Sequence, residues 1–152
     1  PVPPPGGATL VNFALGRAAI QSSTVFGMVA GNAVNGSTNG DAQTEGAITH
    51  TAYRENSWWE VDLGEVRAVD RVRIWNRTDC CGERLSNFYV MVSEAPFASP
   101  DLAAARSQPG VRSYYFDGAA PSQVEMPIGQ NARYVRVQLG GANYLSLAEV
   151  EV

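Results

Sequence analysis

The feature that most constrains this chain is a period-two alternation that recurs in six places. "WWEVDL" (58–63) puts Trp59, Val61 and Leu63 on one face, and "VDRVRIWNR" (69–77) puts Val72 and Ile74 opposite Arg71, Arg73, Trp75 and Arg77. "NFYVMVS" (87–93) alternates Phe88, Val90 and Val92, "QVEMPI" alternates Val124, Met126 and Ile128, and "RYVRVQL" (133–139) alternates Val135, Val137 and Leu139. "LAEVEV" closes the chain with Ala148, Val150 and Val152. Successive strand residues point to opposite faces, so each run buries one side and wets the other. Runs of this kind, separated by Gly, Pro, Asn and Ser clusters, predict an all-β fold, an antiparallel sandwich or barrel. One short helix is expected over 101–107, "DLAAARS".

At 152 residues and 45% hydrophobic, the chain is long enough for one domain with a real core. "PVPPPGG" at the start reads as an extended linker over residues 1–8, with the domain running from 9 to 152. No secretory signal stands at the start, which is the expectation for a mature form or an excised piece. No apolar run approaches the roughly 18 residues of a membrane helix, so no membrane insertion is expected. The net charge of −4 argues against nucleic acid and anionic membrane as partners. All 11 basic residues are arginine, the better residue for planar, multidentate recognition of hydroxyl or carboxylate groups.

Only two cysteines are present, Cys80 and Cys81, side by side in "RTDCCGER" (77–84). They either bridge to each other and shape the loop, or stay reduced as a metal or redox site. With no other cysteine and one histidine, a zinc shell cannot be completed, which favours the bridge.

The single histidine begins a spaced set. His50, Arg77, Asp79 and Arg84 fit H-x(26)-R-x-D-x(4)-R. That spacing, with "NFALGRAAIQSST" (12–24), "NAVNG" (32–36), "SWWEVDLG" (57–64), "DCCGER" (79–84), "RYVRVQL" (133–139) and "LSLAEVEV" (145–152), resembles the F-type lectins, or fucolectins. The resemblance covers nearly the whole chain after the linker. It implies an antiparallel jelly-roll β-sandwich with binding loops at one end. It implies a non-enzymatic carbohydrate-binding module for terminal L-fucose on glycans. Within it His50 would meet the axial 4-hydroxyl. Arg77 and Arg84 would share the 3-hydroxyl, the 4-hydroxyl and the ring oxygen. Asp79, with help from Glu83, would hold the two guanidinium groups together. A Cys80–Cys81 disulfide would form an apolar ledge under the sugar's C–H face.

The chemistry suits that reading, since arginine offers five fixed donors in a plane and can engage two neighbouring oxygens at once. Flanking arginines are expected to lower the His50 pKa and keep the ring neutral. The chain departs from the better-known fucolectins at Gln43 and Thr44, where several carry an aromatic pair over the fucose methyl. Either Phe26 or Tyr53 takes that place, or the methyl pocket is weaker than in those relatives.

"NAVNGS" resembles the family's calcium loop. The implied ligands are the carbonyls of Asn32 and Ser37, the Asn35 side chain, the Ala148 carbonyl and the Glu149 carboxylate, for a structural Ca²⁺. Asn35 replaces the usual aspartate, and Ala47 a common serine. Fucosylated glycans are the expected partners, and secretion the expected compartment, with a place in an oligomer or a multidomain protein. The alternatives are a galactose-type carbohydrate module attached to a glycosidase and a discoidin-type domain that binds protein or lipid.

Overall fold

The computed structural model describes residues 10–152; the linker at 1–8 and the domain start near Thr9 lie outside the described residues. Nine regular elements follow in order: β1 (Ala18–Gln21), β2 (Arg54–Glu55), β3 (Trp58–Asn76), β4 (Ser86–Ser93), α1 (Leu102–Ser107), β5 (Arg112–Ala119), β6 (Gln123–Leu139), β7 (Ala142–Asn143) and β8 (Leu147–Glu151). Two 3₁₀ turns, at Ala30–Val34 and Gly82–Arg84, carry parts of the loops discussed below.

Four of the alternating runs are halves of two long strands. β3 and β6 pair antiparallel from Trp58↔Gln138 to Trp75↔Gln123, with irregularities between Asp62 and Arg67 and between Val69 and Arg71. The first half of β3 also pairs with β1, and its last residues pair with β8. The second half of β6 pairs with β4, which pairs with β5. The strand order is therefore β1-β3-β6-β4-β5, with β8 added on the far half of β3. The inward residues of both halves, among them Trp59, Val61, Val72, Ile74, Val124, Val135 and Val137, meet in one buried cluster. This is an antiparallel jelly-roll β-sandwich, and one shared core is what folds β3 and β6 across both layers.

Two differences from the alternation have physical causes. In β8, Ala148 does not share a face with Val150 and Val152. The register jumps from Trp75↔Glu149 to Asn76↔Leu147, so Ala148 is the extra residue of a bulge and the alternation restarts there. Leu147, Val150 and Val152 enter the main core, while Ala148 joins Ala47, Ile48 and Trp75 in a second cluster. That bulge leaves Glu149 1% exposed. β5 was not anticipated, because it is an edge strand whose residues are mostly exposed and only Tyr114 and Phe116 pack inward. The helix forms where expected, with Asp101 as its N-cap accepting from Ala104 N at 2.9 Å.

Candidate functional site

The loop after β3 is organised by one buried amide. Asn76 Nδ2 donates to Gly82 O at 2.9 Å and lies 3.4 Å from both Ala120 O and Pro121 O, while Asn76 Oδ1 accepts from Arg77 N at 2.8 Å. A single side chain thus pins both ends of the loop that holds Arg77, Asp79 and the cysteines. Within it Cys80 and Cys81 form a disulfide, and Cys81 takes a left-handed conformation with φ +65°. Arg84 N then donates to Cys81 O at 3.0 Å, which sets the arginine one 3₁₀ turn beyond the disulfide.

Arg77 and Asp79 form a bidentate pair, Nε to Oδ1 at 2.9 Å and Nη2 to Oδ2 at 3.0 Å. Their side chains are 13% and 17% exposed, so solvent screening is reduced. Asp79 Oδ1 also accepts from Ala42 N at 3.0 Å. The Arg77 hydrogen bonds come first in holding the Asp79 carboxyl well below the usual carboxylate range, with the Ala42 N–H adding to them. Arg84 does not share this carboxylate. Its Cζ lies 4.7 Å from the ring centroid of Tyr144. Glu83 is exposed and makes no ion pair among the described residues.

The histidine loop is tied to the arginine loop through backbone. Thr78 N donates to Gly40 O at 2.9 Å, beside the Ala42–Asp79 bond. A Cβ on Gly40 would lie 2.5 Å from Asn76 O, so no side chain fits there. His50 itself sits between two tethers. Thr49 and Thr51 bond to Leu147 and Leu145 through N–H and hydroxyl alike, which lays residues 49–51 antiparallel to 145–147. On the other side Val25 N donates to His50 O and His50 N to Met28 O, each at 3.1 Å.

His50 is 4% exposed. Its Nδ1 lies 2.7 Å from Thr51 O. A carbonyl only accepts, so Nδ1 carries the proton and Nε2 of the neutral ring is left as an acceptor. Burial is the main cause that holds its pKa below the ordinary value, and the charges of Arg77 and Arg84 add to it against the opposing Thr51 bond. The arginines therefore act as expected, but burial acts more strongly.

Aromatic rings surround the imidazole. Phe26 meets it edge-on at 5.2 Å, Tyr144 at 5.4 Å, and Tyr53 packs on Tyr144 at 5.4 Å. Phe26 is 78% exposed, and its backbone is left-handed, with φ +58°. Gln43 and Thr44 lie in a turn closed by Thr44 N to Asp41 O at 2.9 Å. The sequence reading did not single out Tyr144 or Asn76. Tyr144 lies in "GANYLS", which follows no periodicity, and Asn76 looks like the ordinary last residue of a strand.

The second loop gathers around Glu149. Gly36 N donates to Glu149 Oε2 at 2.7 Å, whereas Oε1 is buried and has no hydrogen-bond partner among the described residues. Burial, with Glu151 nearby, pushes this carboxyl up to about 7 against the N–H groups of Gly36 and Asn35. Asn32 Nδ2 donates to Ile48 O at 2.9 Å and Asn35 Nδ2 to Gly46 O at 3.0 Å. Asn35 Oδ1 accepts from Ser37 N at 2.9 Å. A buried carboxylate oxygen without a partner is a hard oxygen donor of the kind Ca²⁺ accepts.

Known proteins resemble this chain over most of its length. Residues 32–137 match the family model described as NedA-like, galactose-binding domain. The fucolectin of Anguilla anguilla is 32% identical over 157 residues, covering 97% of this chain and 94% of that protein. The lectin domain of lectinolysin, solved in complex with Lewis B antigen, is 36% identical with a TM-score of 0.80, covering 95% of this chain and 97% of that one. A Streptococcus pneumoniae fucose binding module is 34% identical, also with a TM-score of 0.80, covering 94% and 97%. On this likeness and on the fold, the chain belongs to the fucolectins, the F-type lectin domains within the galactose-binding jelly rolls.

Proposed function

We propose that this domain is a non-enzymatic, secreted lectin module that binds terminal L-fucose on glycans. The observation that carries the reading is that the neutral His50, with Nε2 left as acceptor, lies in the field of both Arg77 and Arg84. An axial sugar hydroxyl can donate to Nε2 while it accepts from guanidinium N–H groups. Arg77 is held in its plane by Asp79 before any ligand arrives, and Arg84 is held by Tyr144. Preorganised donors lose little freedom on binding, which favours affinity. The Cys80–Cys81 disulfide, one turn from Arg84, offers an apolar surface with no hydrogen-bonding demand to the sugar's C–H face. Phe26, against His50, stands nearest to C4 and C5 and covers the fucose methyl in place of the missing aromatic pair at Gln43 and Thr44.

Catalysis is disfavoured on the same geometry. A glycosidase needs one carboxyl protonated at working pH and open to substrate; Arg77 keeps Asp79 ionised, and Glu149, whose carboxyl is raised, is 1% exposed behind the loop of Gly36. Glu149 Oε1, the carbonyls of Asn32, Ser37 and Ala148, and the Asn35 amide would hold a structural Ca²⁺ that braces the loop leading to His50. The fucose and Lewis B ligands of the related modules support fucosylated glycans as partners. No helix among the described residues is long and apolar enough to cross a membrane, and a disulfide and a glycan target fit an extracellular setting.

Calorimetric titration tests the reading. L-Fucose is expected to bind the wild type, and Arg77→Ala or Arg84→Ala is expected to abolish detectable binding. A preference for D-galactose would instead support the galactose-type module, which the exchange of the aromatic pair for Gln43 and Thr44 favours as second reading. No binding of either sugar would overturn both.

A further inference from the structure

The segment that faces the histidine loop also borders β3. Thr49 N donates to Leu147 O at 2.9 Å and Thr51 N to Leu145 O at 3.0 Å, while the N–H groups of Leu147 and Leu145 donate to the two threonine hydroxyls. In an antiparallel ladder of that register His50 stands directly opposite Ser146, and opposed residues share a face. Leu145 and Leu147 point the other way, into the main core. On the other side Asn76 pairs with Leu147, so Arg77 and Ser146 are the next residues out of that ladder. Ser146 therefore lies between His50 and the point where Arg77 leaves its strand.

Ser146 is 7% exposed, and its Oγ is buried without a hydrogen-bond partner among the described residues. Buried hydroxyls are rarely left so, because the lost bond to water goes uncompensated. Thr49 and Thr51, which flank His50 in the facing segment, both engage their hydroxyls with backbone N–H groups. The orphan stands at the position between them. A fucose hydroxyl supplies the missing partner. Its hydrogen goes to His50 Nε2, which leaves two lone pairs on the oxygen, one for a guanidinium N–H and one for a further donor. A serine carries its hydroxyl among three staggered positions by turning one bond, so Oγ can swing to that oxygen once it is seated. We infer that Ser146 is a further sugar-binding residue, whose hydroxyl donates to the axial oxygen held by His50 and Arg77. The inference rests on the fucose reading of the clamp.

Ser146→Ala removes the hydroxyl and little else. Wild type and variant are titrated with methyl α-L-fucoside by calorimetry, their ligand-free unfolding midpoints are compared, and the ¹⁵N signals of the one histidine are recorded in both. The variant is expected to bind about three- to tenfold more weakly, the range of one neutral hydrogen bond. Its ligand-free midpoint is expected to stay level or rise, because the substitution deletes a buried hydroxyl that nothing satisfied. The His50 signals are expected to keep the Nδ1–H tautomer. An affinity equal to or above that of the wild type overturns the inference. A loss of affinity together with a lower midpoint or a changed tautomer also overturns it, since Ser146 would then act only by supporting His50. If methyl α-L-fucoside does not bind the wild type, the clamp reading falls first and this inference with it.

Discussion

Asp79 and Glu149 are both carboxylates in loops, and their surroundings are opposite. Asp79 keeps both oxygens engaged, by Arg77 and by Ala42 N–H, and sits far below the usual carboxylate range. Glu149 is buried, has one oxygen engaged and one orphaned, and is pushed up to about 7. The first is a finished arrangement whose product is a guanidinium held still. The second is unfinished, and a buried unpaired charge is expensive unless a counter-ion completes it. On the proposed reading, the chain would build its sugar clamp from its own side chains and leave the brace behind it to a Ca²⁺ ion.

That contrast can be broken at several points. The largest effect belongs to the clamp: Arg84→Ala removes a charged donor from the pocket and is expected to weaken L-fucose at least about 100-fold, measured by calorimetry. Asp79→Asn keeps the shape but loses the charge that fixes Arg77. A loss of roughly tenfold is expected, with a smaller fall in thermal stability, because the pair it weakens is only partly screened by solvent. Calcium should raise the unfolding midpoint by several degrees, and the shift should vanish in Glu149→Gln while that variant keeps its fold. An equal shift in Glu149→Gln would place the ion elsewhere. Reduction of Cys80–Cys81 should lower fucose affinity severalfold with little change in global stability, since a ring between adjacent residues restrains hardly any of the unfolded chain.

The smallest effect is that of pH. The folded state depresses the His50 pKa, so below the ordinary value of 6.5 the unfolded chain takes the proton first. The contribution of His50 to stability is therefore complete above 6.5 and is lost as pH falls through its lowered folded value. Fucose affinity should stay flat from pH 7.5 through 6.5 and fall only below that. A midpoint of loss above 6.5 would contradict the placement of His50 between burial and two arginines.

Much of this molecule could be read before its structure was described, because the sandwich is a product of alternation. Trp59, Val61, Val72 and Ile74 announce their faces by spacing alone, and all four are buried. What the spacing could not carry is the change of phase. The bulge at Ala148 is a matter of pairing between β3 and β8, and no local pattern around "SLAEVEV" reports it. The family motif brought His50, Arg77, Asp79 and Arg84 to notice but not how they divide the work. That Arg77 takes the carboxylate while Arg84 rests on Tyr144 depends on which loop lies beside which. Asn76 escaped for the same reason: its bonds reach Gly82, Ala120 and Pro121, which are joined only by folding.

The central claim is that a neutral His50, protonated on Nδ1, presents Nε2 as the acceptor for a fucose hydroxyl. The chain has one histidine, so ¹⁵N labelling of that residue type gives an unambiguous pair of imidazole signals. NMR titration with methyl α-L-fucoside at pH 7 measures the state of each nitrogen directly. The account predicts an Nδ1–H tautomer before ligand and a selective shift of the Nε2 resonance on saturation, with Nδ1 little changed. A ring protonated on Nε2, or an Nε2 signal unmoved at saturating fucoside, would contradict it.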